Sequence, residues 1–206
     1  ARGAWSVEPD PRIFDTALVA YVLSHVESAE AAAAVERAFG WLVRQTPQDH
    51  DPIALLLDAT PRRLLQGDVA VVDLRGPTLY SNLYRRKTLL LYTLSLHAGA
   101  RVLSPYVPSQ LKEQVKRFYD RAEQIRTKQW SKVDLISVYA ILEALDGNRP
   151  AARVASERLI QLQSPNGSFC QNPVTTAIAF LALSVALPGS DAWQRCLRHL
   201  LAAQLR

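Results

Sequence analysis

Two kinds of helical segment alternate along this chain. In one, such as Ala177-Ile178-Ala179-Phe180-Leu181-Ala182-Leu183, almost every position is apolar; in the other, such as Glu157-Arg158-Leu159-Ile160-Gln161-Leu162-Gln163, apolar positions recur among charged ones. A helix that is apolar all round is enclosed, and one with a charged face lies at the surface. The pattern predicts helices near 12–26, 29–45, 52–66, 79–98, 109–127, 131–146, 150–163, 173–187 and 190–205, with no evident strand. Start residues support these bounds at Asp15-Thr16, Ser28, Asp51-Pro52, Ser109, Ser131, Pro150, Thr175 and Ser190-Asp191, and stops at Gly99, Gly147, Gly167 and Gly189. The stretch from Gly67 to Pro77, with Val69-Ala70-Val71-Val72, fits an extended loop or a short edge segment.

The alternation is also a repeat. An apolar helix opens on Thr or Asp, and its partner ends in an Arg- and Leu-rich stretch closed by Gln: Phe14-Asp15-Thr16 with Arg37 to Gln45, Val133-Asp134-Leu135 with Glu157 to Gln163, and Thr175-Thr176-Ala177 with Leu197 to Gln204. Gln163 and Gln204 are 41 residues apart, and the same period places another closing residue near 124, where Gln124 stands. A fifth unit between Gln45 and about residue 85 is degraded. Units of this length cannot bury their apolar faces alone and must stack on their neighbours. The prediction is an all-α fold, a two-layer helical-hairpin repeat in one domain spanning 1–206, with the apolar helices inside and the charged ones outside.

The phrase Gln163-Ser164-Pro165-Asn166-Gly167-Ser168-Phe169, at the end of a charged helix, resembles the repeats of the terpene cyclase and prenyltransferase superfamily, most closely the squalene–hopene cyclase branch. Arg37 to Gln45 and Leu197 to Gln204 match its first part. The resemblance implies a complete or partial α/α toroid whose glutamines tie the end of one outer helix to the next. It also implies a terpene-cyclase-like protein of secondary metabolism that cyclises a polyprenyl or polyunsaturated substrate in an apolar, aromatic-lined cavity. That leans toward an enzyme of lyase or isomerase type, with no cofactor. The Asp-rich catalytic motifs of the family are missing, which keeps open a non-catalytic binding or scaffold module of the same fold. A complete barrel of this kind has about twelve helices against the nine predicted, so the resemblance further implies a ring completed by a second copy or a partner subunit.

Charge changes the picture modestly. The net +5 is concentrated in residues 75–132, which carry twelve Lys/Arg against three Asp/Glu, whereas residues 1–74 carry six against eleven. No nucleic-acid-binding motif accompanies that basic stretch, and no nucleic-acid partner is expected. No apolar run reaches the roughly 18 residues that span a bilayer, and no leader-like segment stands at Ala1 to Trp5. With only Cys170 and Cys196, the expectation is a cytoplasmic protein that is not transmembrane.

Candidate chemistry follows from the residues each step needs. Protonating an alkene takes a carboxylic acid kept neutral by burial and like-charged neighbours. Asp49 and Asp51, flanking His50 just before a helix, are the acid candidates, with helix capping by Asp51 as the plain alternative. Asp15 and Asp134 open apolar helices and are expected to cap them; either becomes the better acid candidate if it does not. Arg85 and Arg86, beside Lys87 and close to Tyr84, are candidates for an anionic head group such as a diphosphate. Phe14, Tyr21, Tyr84, Tyr92, Tyr139 and Phe180 are the candidate cavity lining, since ring faces stabilise a carbocation; core filling is the alternative. Cys170, Cys196 and His199 lack the further ligands of a tetrahedral zinc site, and no metal is expected.

Overall fold

The structure, a computed structural model, describes residues 12–45, 52–68, 70–81, 84–105, 108–122, 124 and 128–204. Among them it is mostly helical: α1 (Ile13–Leu23), α2 (Ala29–Arg44), α3 (Pro52–Leu65), α4 (Arg85–His97), α5 (Pro108–Asp120), α6 (Gln129–Leu145), α7 (Arg149–Leu162), α8 (Pro173–Ala186) and α9 (Asp191–Ala202). The expected helices are all present; most end earlier than expected, α4 starts later, at Arg85, and α5, α6 and α7 start one or two residues earlier. The stretch from Gly67 to Pro77 takes the short-edge-segment alternative. Val71–Asp73 (β1) and Arg101–Leu103 (β2) form a parallel two-stranded ladder, Val72 opposite Val102. Segments this short show no period-2 pattern for sequence reading to detect.

The two kinds of helix behave as their composition dictates. In α8 every residue from Val174 to Leu183 is buried, and in α6 burial is nearly continuous from Val133 to Glu143. By contrast α7 buries only Ala152, Ala155, Ser156 and Leu159, and α9 only Ala192, Cys196 and Leu200, one stripe each. The enclosed helices α1, α4, α6 and α8 pack in succession, α1 against α8, α8 against α6 and α6 against α4, and amphipathic α3, with Ala59 and Arg63 exposed, bridges α4 and α1. The sequence of contacts thus returns to its start within the chain, and one core cluster draws on α1 through α9. The first and last hairpins meet directly, which removes the ground for expecting a partner at that seam.

Caps fix where helices begin. Ser28 accepts from Ala31 N, Asn148 from Ala151 N, Asn172 from Thr175 N and Ser190 from Trp193 N. Asp15 and Asp134 cap nothing, contrary to expectation: α1 starts after Arg12 and α6 after Lys128, neither with a side-chain cap. Asp134 therefore lies in the second turn of α6.

The closing glutamines act as joints between surface helices. Gln163 Nε2 donates to the Ala192 carbonyl at 2.9 Å, and its Oε1 accepts from Arg195 Nε and NH2 at 3.2 and 2.8 Å. Gln204 repeats this on α2: Nε2 donates to the Ala34 carbonyl at 2.7 Å, and Oε1 accepts both nitrogens of Arg37 at 3.1 and 2.7 Å. In each joint the receiving helix supplies Ala-x-x-Arg. The same spacing occurs at Ala155/Arg158 and Ala59/Arg62. There too the arginine reaches back to the end of an earlier helix, Arg158 to the Tyr119 carbonyl at 3.3 Å and Arg62 to the Leu42 carbonyl at 2.7 Å. The arginine, more than the glutamine, is the recurring element. Gln124 stands where the period requires but is exposed, and Gln45 turns back to its own helix at the Trp41 carbonyl.

Behind Gln163 the chain turns through Gly167, whose φ is +88° and whose carbonyl accepts from Gln163 Nε2 at 3.2 Å. A Cβ there would stand 2.2 Å from the Arg195 carbonyl oxygen. Gly167→Ala is expected to cost on the order of 2–3 kcal/mol, from strain and collision together. Gln204→Ala is expected to cost about 1–2 kcal/mol, while Gln124→Ala, exposed, should stay within ~0.5 kcal/mol. Urea unfolding of the three variants checks this order.

Candidate functional site

The N-terminal ends of α4, α6 and α8 converge on one buried ion pair. Arg86, in the first turn of α4, donates from Nε to Asp134 Oδ2 at 2.6 Å and from NH2 to Thr175 Oγ1, in the first turn of α8, at 2.8 Å. Its guanidinium lies 4.6 Å from the centre of the Trp130 ring. Asp134 is only 4 % exposed, and its second oxygen, Oδ1, accepts no hydrogen bond. Burial pushes its carboxyl pKa above the usual value, against the opposing pull of Arg86 and Thr175.

Beside this pair, Lys87 lies 4.9 Å from the centre of the Phe14 ring and 3.8 Å from Asp58 Oδ1. Asp15, half-buried, has its pKa raised by burial and partly restrained by Arg12, Lys87 and Arg86. Three carboxylates, Asp15, Asp58 and Asp134, and three cations, Arg12, Arg86 and Lys87, thus gather in one region. Partial positive charge at helix N-termini favours such carboxylates. The chemistry available to the pair is fastening: three helices of different repeats are tied by one guanidinium. Proton delivery would require a reacting group to reach Oδ1.

The predicted head-group residues divide. Arg86 is committed to Asp134 and Thr175, whereas Arg85 is exposed at the first position of α4. Asp49, His50 and Asp51 lie outside the described residues.

The aromatics do not assemble into a common lining, and that expectation is corrected. Phe14, Tyr92 and Phe180 are 1, 2 and 0 % exposed, so they border no space wide enough for water. Phe180 packs on Trp193 with ring centres 5.2 Å apart, and Tyr139 stacks on Tyr119 at 4.3 Å, its hydroxyl pKa pushed up to about 12 by burial and Glu143. Tyr84 sits half-buried at the N-cap of α4 and packs on the core. Tyr21 lies two turns along α1 from Phe14, near the other end of the helix. The physical reason is economy of burial: each such ring contributes roughly 1.5–3 kcal/mol when fully covered, and small Ala residues let neighbouring helices close over it.

Sequence reading passed over the group around Tyr21. Its hydroxyl hydrogen-bonds His97 Nδ1 at 2.9 Å, and the His25 and His97 rings are 5.0 Å apart. Burial, with His25 nearby, lowers the His97 pKa to about 4. This group edges a shallow recess of about 240 Å³ that also touches Leu64, Leu65 and Ala98. Of the two cysteines, only Cys170 senses Asp134. Cys196 is buried, its thiol pushed up to about 12, and Cys170 is pushed upward by burial and by Asp134.

Two outcomes follow from these groups. Arg86→Ala strands a buried carboxylate and is expected to cost about 3–5 kcal/mol, while Arg86→Met combined with Asp134→Leu should recover most of that loss. For His97, the folded pKa is below the unfolded value of 6.5. Its contribution is therefore complete above pH 6.5 and declines as pH falls toward 4, by on the order of 2–3 kcal/mol. Urea titrations of the wild type and His97→Gln across pH 4 to 8 measure it; the variant should lack that slope. Comparison with protein-family models, with curated proteins and with solved structures finds no match to this chain, so its role has to be argued from its own geometry.

Proposed function

We propose that this chain is a non-catalytic binding or scaffold module built as a reduced α/α toroid. The enclosed helices α1, α4, α6 and α8 form its inner layer, and the arginine-jointed surface helices α2, α3, α7 and α9 form its outer one. The carrying observation is the burial of five of the six rings expected to line a substrate cavity, Phe14, Tyr21, Tyr92, Tyr139 and Phe180, each at most 5 % exposed. A polyprenyl chain needs a pocket of several hundred cubic ångströms. The two recesses of about 200 and 240 Å³ both open at the surface, away from Asp134.

A cyclase is the second reading, favoured by one observation. Asp134 is a buried carboxyl with an unpaired oxygen and a raised pKa, the state a proton donor needs. Its substrate would be a polyprenyl or polyunsaturated chain, with Arg85 outside as the charged contact.

Incubation with a panel of prenyl diphosphates and polyenes, followed by mass spectrometry, separates the two. The scaffold reading expects no cyclised product from the wild type. Product that disappears in Asp134→Asn, at an unchanged melting temperature, would establish the cyclase instead; Asp49→Asn and Asp51→Asn run beside it test the remaining acid candidates.

A further inference from the structure

Three of the four Ala-x-x-Arg joints are covered and one is open. Ala34, Ala155 and Ala192 are 1, 0 and 3 % exposed, whereas Ala59 is exposed. Where Gln163 and Gln204 lie across the Ala192/Arg195 and Ala34/Arg37 joints, Gln45 is bonded instead to Trp41. What remains at Ala59/Arg62 is a groove of about 200 Å³ between α2 and α3, edged by Phe39, Val43, Arg62 and Arg63.

Its two rims differ in chemistry. On α2, Phe39 and Val43 are one turn apart on the same face and are 37 and 60 % exposed, among the most exposed large apolar residues described. On α3, Arg62 and Arg63 stand side by side, and among the described residues no acidic side chain lines the groove. An apolar rim opposite a cationic one fits a helix whose apolar stripe is flanked by carboxylates. At two of the three closed joints a glutamine oxygen takes two donors of the arginine fork, whereas Arg62 spends one nitrogen, NH2, on the Leu42 carbonyl. A carboxylate makes that contact more strongly, because it is charged.

We propose that the α2–α3 groove docks an acidic amphipathic helix of a partner protein, which covers Phe39 and Val43 and sets a carboxylate against Arg62 and Arg63. This deepens the scaffold reading and rests on it.

The test uses the full chain and a fluorescent synthetic helical peptide with Leu at i, i+4 and i+7 and Glu at the flanking positions, read by anisotropy. The same peptide with Lys in place of Glu is the control. The acidic peptide should bind and the basic one should not, with affinity falling as salt rises. Val43→Asp and Arg63→Glu, both at exposed positions, should each weaken binding about tenfold or more. Equal binding of the two peptides, an unchanged affinity in both variants, or no binding at ~1 mM peptide to protein with an unaltered melting curve each overturns the proposal. Cyclised product in the prenyl panel, with peptide binding lost in Val43→Asp, would instead sink the scaffold reading and leave the groove.

Discussion

The structure depends on what it takes to enclose helices that have no wet side. Once α6 and α8 are covered all round, their stability comes from neighbours, and those neighbours must be held in place around them. The amphipathic helices do this with a single device, a guanidinium that reaches back to the end of an earlier helix. At helix C-termini the last carbonyls have no partner within the helix. Arg62 and Arg158 satisfy such carbonyls directly, while Arg37 and Arg195 act through the glutamine that follows. The planar fork of arginine suits this task better than lysine would, since two of its donors converge on one oxygen.

The interior uses the same chemistry at higher stakes. Asp134 is removed from water, and Arg86 partly so, in a tie between helices that belong to different repeats. An ion pair so buried contributes little net stability compared with an apolar pair of equal volume, but it penalises any arrangement that separates the partners. It therefore fixes which ends of α4, α6 and α8 lie together. Its unpaired oxygen and upward-shifted pKa are what burial imposes on a carboxylate with one good partner, and the same features are what the second reading uses.

Much of this was legible in the sequence, because period and composition report burial. The apolar run at 177–183 and the mixed run at 157–163 are opposite kinds of helix in the structure as well, and Gln163 and Gln204 are joints. The arginines were missed because a charge opposite an apolar stripe reads as solvated; only their recurrence three residues after Ala marks them. Asp134 was taken for a cap because it stands near a helix start, yet α6 begins a full turn earlier than its Ser131 indicates. The aromatics failed as a lining for a different reason. Helical spacing puts residues on one face without saying whether that face meets a void or another helix, and here Ala-rich neighbours close over them. The short strands were too brief to show a pattern at all.

The joint between Gln204 and Ala34 carries one more consequence. In an open array of helical repeats, each unit contacts only its neighbours, and melting can begin at an end and spread. Here the two ends are each other's neighbours, so neither can fray without breaking a contact made across nearly the whole chain. Such a molecule should fold and unfold as one cooperative unit, and slowly for a helical protein, because its final closure waits on residues far apart in sequence.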